Sequence, residues 1–148
     1  EEEVDPLGQL RSTCVFIMQE AVRNVHSRKV FDILFHKCEF VDEADPIVIR
    51  QRECYLQGMA NLERILCNAM ARGQLAPDFD TRLGCVTLHA MLDGLLNNWL
   101  FAPDSFDLAG NAETLIDACI DTLRYAPSLR RRVAPPRPET RAIASAAH

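Results

Sequence analysis

The sequence is poor in the materials that many kinds of chemistry require. Its 148 residues include only six glycines, none in a G-x-G-x-x-G or G-x-x-x-x-G-K-[ST] string. A loop that cradles phosphate with backbone N–H groups therefore has no candidate. No G-x-S-x-G elbow is present, and Ser12, Ser27, Ser105, Ser128 and Ser145 read as helix-surface, cap, loop and tail residues rather than nucleophiles. No glutamate has a histidine three residues later, which excludes the di-iron bundle pattern. The six cysteines, at 14, 38, 54, 67, 85 and 119, include no C-x-x-C and no pair closer than thirteen residues. Zinc-finger spacing is thus absent. Their apolar neighbourhoods point to reduced, buried, inert thiols of a cytosolic protein. His36, Cys38 and Glu39 look ligand-like as a string, but on a helix His36 and Cys38 point to different faces. Neither a metal nor any other cofactor is expected, and no enzyme class finds its residues here.

Excess positive charge is also missing. A formal charge of −5 argues against a grip on a phosphate backbone. Arg124, Arg130, Arg131 and Arg132 form the one basic patch, read as cations complementing the macrodipole at a helix end. No apolar run reaches the ~18 residues of a membrane helix. The greasiest stretch, Leu88 to Phe101, is interrupted by Asp93, Asn97 and Asn98. Glu1-Glu2-Glu3 is acidic where an export signal opens basic, so a cytoplasmic location and no membrane partner are expected.

What is present is helical periodicity. Hydrophobic residues make up 48% of the chain and fall at helical spacing in five segments, with no sustained alternation of the strand type. An all-α fold follows. Asp5 caps and Pro6 opens a first helix bearing Leu7, Leu10, Cys14, Ile17, Met18, Ala21 and Val25. A break near His26 precedes a second, with Ser27 as its cap and Val30, Phe31, Leu34, Phe35, Cys38 and Val41 on its apolar face. Asp45-Pro46 repeats the cap-plus-proline device for a long third helix with a stripe of Val48, Tyr55, Met59, Leu62, Leu66, Ala69 and Met70, stopped at Gly73. Asp80 caps a fourth, and a fifth runs from about Asn111 to Tyr125, ended by Pro127. Residues 1–131 read as one domain, and 132–148, rich in Pro and Ala, as a flexible tail.

The fourth helix differs in kind. Leu83, Val86, Leu88, Met91, Leu92, Leu95, Leu96, Trp99 and Leu100 nearly encircle it, so it must be covered on most sides. Either it is the central helix of a monomer, or it and the fifth bury a face against a second copy. His89 and Asp93 lie one turn apart on its apolar surface. They either bond a neighbouring helix or give polar anchors to a cavity that holds an apolar ligand.

Several strings narrow these choices. Asp5-Pro6-Leu7-Gly8, Ile33-Leu34-Phe35-His36-Lys37-Cys38-Glu39-Phe40, Asp93-Gly94-Leu95, Asn98-Trp99-Leu100-Phe101-Ala102-Pro103 and Ser105-Phe106-Asp107-Leu108 resemble the regulatory domain of the AcrR and TtgR branch of the TetR family, from about Asp5 to Arg131. The resemblance implies the C-terminal half of a homodimeric repressor of a multidrug efflux operon. Hydrophobic drugs would enter a helical cavity and release operator DNA, held through a helix-turn-helix preceding Glu1. By similarity the cavity wall comprises Thr13, Cys14 and Ile17, then Phe31 and Phe35, then Tyr55, Gly58, Met59 and Leu62, and finally Leu88, His89, Leu92, Asp93 and Leu96. The implied four-helix interface uses Met91, Leu95, Trp99, Leu115, Ala118, Cys119 and Thr122. Phe31 and Phe35 replace polar Asn and His of the TtgR-like pattern, and His89 replaces an aromatic ring. That leaves Asp93 as the polar anchor and shifts the expected effectors toward flat, hydrophobic molecules. The alternative is a structural dimerisation domain whose cavity is filled by Phe31 and Phe35, and an internal void of several hundred Å³ is the observation that separates the two.

Overall fold

The computed structural model describes residues 5–36 and 46–131. Five α-helices make up the described fold: α1 Pro6–Arg23, α2 Val25–His36, α3 Pro46–Ala71, α4 Thr81–Phe101 and α5 Ala112–Tyr125. The architecture is all-α; beyond the helices lie one short 3₁₀ turn, Pro127–Leu129, and an isolated antiparallel bridge between Phe79 and Arg130. Cys38, Val41 and the Asp45 cap fall outside the described residues, as does the tail from 132 onward.

Local chemistry sets the helix ends. The Asp5 carboxylate accepts from the Gly8 N–H at 2.9 Å and Pro6 occupies the first turn. Asp80 likewise accepts from the Leu83 N–H at 3.1 Å. Gly73 takes φ +72° after α3, a left-handed turn that glycine enters without a Cβ clash. The break between α1 and α2 comes earlier than the sequence suggests. Asn24, not Ser27, is the capping residue there, its Oδ1 accepting from the N–H groups of His26 and Ser27 at 2.9 and 3.3 Å. Asparagine wins because its side-chain oxygen reaches the orphan donors of the first turn, leaving Ser27 inside the helix.

The core lies where α1, α4, α5 and the second half of α3 meet. Leu7, Met18, Leu66, Phe79, Leu88, Leu108, Ile116 and Leu123 have at most 1% of their surface exposed. Each such side chain stabilises the fold by roughly 1.5–3 kcal/mol relative to exposure. The Phe79 ring rests on the first turn of α4 at Gly84, where any larger residue's Cβ would collide with it. The 127–131 segment closes over the same place, with Asp80 N–H donating to Leu129 O at 2.9 Å and Arg131 N–H to Asp78 O at 2.7 Å. Arg11 of α1 grips α5 through both oxygens of Asp117, at 2.5 and 2.9 Å, and through Glu113 at 3.2 Å.

Packing is uneven. Among the described residues, none between Val22 and Ile65 is buried. That stretch comprises α2 and the first three-quarters of α3, which together with α4 bound a cleft.

Candidate functional site

The cleft lies between α2, α3 and α4, is open to solvent, and has a volume of about 840 Å³. Phe31, Ile33, Leu34 and Phe35 come from α2, while Pro46, Ile47, Arg50, Gln51, Cys54 and Tyr55 come from α3. On α3 the positions 47, 51, 54 and 55 recur at helical spacing, so one face of the helix supplies them. His89 and Asp93 close the far side from α4, one turn apart. Phe31 and Phe35, also one turn apart, stack with ring centroids 6.5 Å apart and planes 22° from parallel. The Tyr55 ring meets the His89 imidazole edge-on at 5.1 Å, bridging α3 to α4.

Two polar features break this apolar wall. His89 Nδ1 lies 2.9 Å from Asp93 Oδ2, and the two side chains keep 39% and 44% of their surface exposed. Partial burial raises the Asp93 pKa against the opposing pull of His89's charge and hydrogen bond. The second feature is Gln51, whose Oε1 is buried without a hydrogen-bond partner. Beneath the cleft, Arg28 of α2 sits 4.8 Å from the ring centre of Trp99, which is only 4% exposed. This cation–π contact joins a cleft wall to the core helix. No group of His, Cys, Asp and Glu side chains among the described residues is arranged to hold a metal ion. Cys14 and Cys85 are buried, and burial pushes each thiol up to about 11, away from nucleophilic chemistry.

Comparison with known proteins places this geometry. Residues 5–125 match the family model for the MAATS-type transcriptional repressor, C-terminal region. The chain belongs to this TetR-family repressor group. It is 38% identical over 131 residues to the HTH-type transcriptional regulator TtgR of Pseudomonas putida, covering 88% of this chain and 62% of that protein. To AcrR of Shigella flexneri it is 32% identical, covering 85% and 59%. Among solved structures, MexZ, described as a key repressor responsible for antibiotic resistance in Pseudomonas aeruginosa, superposes with a TM-score of 0.73 at 26% identity, covering 89% of this chain and 66% of MexZ. NalD, the secondary repressor of the MexAB-OprM multidrug efflux pump in the same organism, gives 0.71 at 28% identity, covering 84% and 65%. The chain spans about three-fifths of the length of the curated relatives it matches. Those relatives are transcription regulators, not enzymes.

Within this repressor domain the structure distributes the residues implied by similarity over three settings. Phe31, Phe35, Tyr55, His89 and Asp93 line the cleft. Cys14, Leu88 and Leu96 are core residues, with Met59, Leu62 and Leu92 packed half-buried against them. Ile17 is half-buried on α1, while Thr13 and Gly58 are exposed, Thr13 in a surface recess beside Asp5 and Arg11 and Gly58 facing open space. Ile33, Leu34, Ile47, Gln51 and Cys54 also line the cleft, none of them assigned to the cavity wall from the sequence. The apolar ones carried a signal, Leu34 on the apolar face of α2 and Ile47 two turns before Tyr55 on one face of α3, whereas Gln51 carried none.

The residues expected at a two-fold interface also divide. Trp99 and Cys119 are buried inside the protomer, Met91, Leu95, Leu115 and Thr122 are half-buried, and Ala118 is exposed. Outward from α4 runs a different stripe, Leu83, Val86, Ala90, Asn97 and Phe101, at steps of three, four, seven and four. Leu83, Val86 and Phe101 are 51%, 54% and 83% exposed. No described helix is long and apolar enough to cross a membrane.

Proposed function

We propose that the chain is the effector-sensing and self-association domain of a cytoplasmic repressor of efflux-pump genes, and that hydrophobic molecules bind in the α2–α3–α4 cleft. The observation that carries this reading is a largely apolar space of about 840 Å³ that Phe31 and Phe35 line without filling. Sites for drug-sized ligands have this scale and this pairing of apolar walls with a few polar groups. The named relatives support the regulatory context: TtgR and AcrR are HTH-type regulators, and NalD represses a multidrug efflux pump. In the longer protein an effector releases operator DNA only if it binds the non-operator conformation more tightly than the operator-bound one. The least packed wall of the domain, α2 with the start of α3, is the element whose position an occupied cleft would bias. Self-association uses the outer face of α4 with the exposed side of α5 at Ala118, giving the homodimer on which two operator-reading heads would be spaced.

Trp99 is the only tryptophan. Its contact with Arg28 makes it a reporter of α2. Titration with Nile red and with ethidium should change its emission saturably, and Tyr55→Ala should weaken both dyes. If neither dye gives a saturable change, the cleft is not an effector site.

A further inference from the structure

α2 carries two of the cleft's aromatic rings and little packing of its own. It leans on α1 and only lightly on α4, and no residue from Val25 to Phe35 is buried. Its start is fixed by Asn24, which caps the first turn and donates from Nδ2 to Glu20 Oε2 at 3.3 Å. One turn further on, the Arg28 guanidinium lies 4.8 Å from the centre of the Trp99 ring near the end of α4. Trp99 is only 4% exposed, whereas Arg28 remains an exposed residue, so a solvated cation covers a ring withdrawn from water. Such a contact is stronger than one over a wet ring, and the planar guanidinium of arginine suits it. Phe31 and Phe35 follow three and seven residues after Arg28, on the same side of the helix. Arg28 is thus the first member of the row that supplies the wall, although it does not line the cleft itself.

Resting on the reading of the cleft as a ligand site, we infer that Arg28 is the positioning residue of that site: its contact with Trp99 latches α2 to α4 and so sets the wall that Phe31 and Phe35 present. Arg28 touches no ligand in this role and acts through the two rings. The space of about 840 Å³ is present while the contact is made, so the latched position is the one that receives a ligand. The contact therefore preorganises the wall. When it is lost, α2 has Asn24 and its packing on α1 to hold it, the rings spend less time in place, and apparent affinity falls with the latched fraction.

The test combines hydrogen exchange read by mass spectrometry with Nile red binding read from the dye's own emission, both on the whole chain. Arg28→Met keeps an unbranched apolar stem over the ring and removes the charge. It should speed exchange of the α2 amides about fivefold, the scale of one cation–π contact, and leave α5 unchanged. Nile red affinity should fall at least about twofold and at most by that same factor, since it cannot fall further than the latch constant does. Arg28→Lys, which restores a cation, should recover most of both losses. Unchanged α2 exchange in Arg28→Met overturns the latch, and so does equal acceleration in Arg28→Lys. Faster exchange with unchanged Nile red affinity shows that the contact holds α2 without setting the wall, and overturns its role at the site while the cleft stands. Should wild type bind no Nile red, the cleft reading itself fails and the positioning role with it.

Discussion

The two ends of this helical domain use similar residues to opposite effect. At the closed end, α1, α5, the start of α4 and the end of α3 bury Leu7, Met18, Leu66, Phe79 and Leu123 almost completely. At the open end, Val25, Ile33, Ile47, Ile49 and Leu56 stay between 47% and 68% exposed, and no described residue from Val22 to Ile65 is buried. The same aliphatic side chains serve as glue in one place and as cleft wall in the other. The difference lies in how many elements converge. The closed end is surrounded on all sides, whereas α2 leans on α1 and more lightly on α4, and the cleft lies between it, α4 and the first turns of α3. Stability is thus concentrated away from the cleft, and the segments that face it can shift without unpacking the core.

The contrast can be broken most directly by truncation. Phe79→Ala removes a fully buried ring and should cost about 3–5 kcal/mol in urea unfolding. Phe31→Ala at the open end should cost less than about 1 kcal/mol while weakening Nile red binding severalfold. Comparable destabilisation by both would show that the open end is packed as tightly as the closed one.

A second difference concerns the outward stripe of α4. Ala90 is exposed at its middle, so Ala90→Lys should leave the protomer's melting temperature within a few degrees and convert dimers to monomers in sedimentation velocity. A dimer that persists would remove this face from the self-association surface.

Smaller effects sharpen the picture. Arg11 holds the Asp117 carboxyl below the usual carboxylate range. A depressed acid contributes stability that is present above its unfolded pKa of about 3.9 and disappears as pH falls through the lower folded value. Arg11→Met should therefore lower the urea midpoint modestly at pH 7, with the gap to wild type closing as the pH drops below about 3. The clamp is exposed, so its contribution is screened by salt. Finally, the closed end should protect its thiols. In a Cys38→Ser background, the exposed Cys54 and Cys67 should react with a disulfide reagent in the native state, while Cys14, Cys85 and Cys119 react only on unfolding. Rapid modification of Cys14 would mean that α1 and α5 part readily.

Much of the framework was legible from local signals. Asp5-Pro6, Gly73, Asp80 and Pro127 mark their boundaries because caps and breakers act over a single turn. The error at Ser27 has the same origin: two side chains three residues apart could both cap, and only the backbone path shows which reaches the orphan N–H groups. The cleft was less legible. His89 and Asp93 announced themselves as polar residues on an apolar helix, and Tyr55 as part of a stripe. Gln51 gave no such signal, because a glutamine beside arginines reads as a wet helix face.

By itself, then, the sequence determined the all-α class, most helix ends and the regulatory family, since these rest on short-range chemistry and on strings of residue identity. Tertiary structure alone decided which apolar residues became core and which became wall. Cys14, Leu88 and Leu96 match the cavity-wall pattern by similarity yet lie in the core, while Ile47 and Gln51 face the opening. Burial depends on how many helices converge at a point, and periodicity along one helix carries no information about that number.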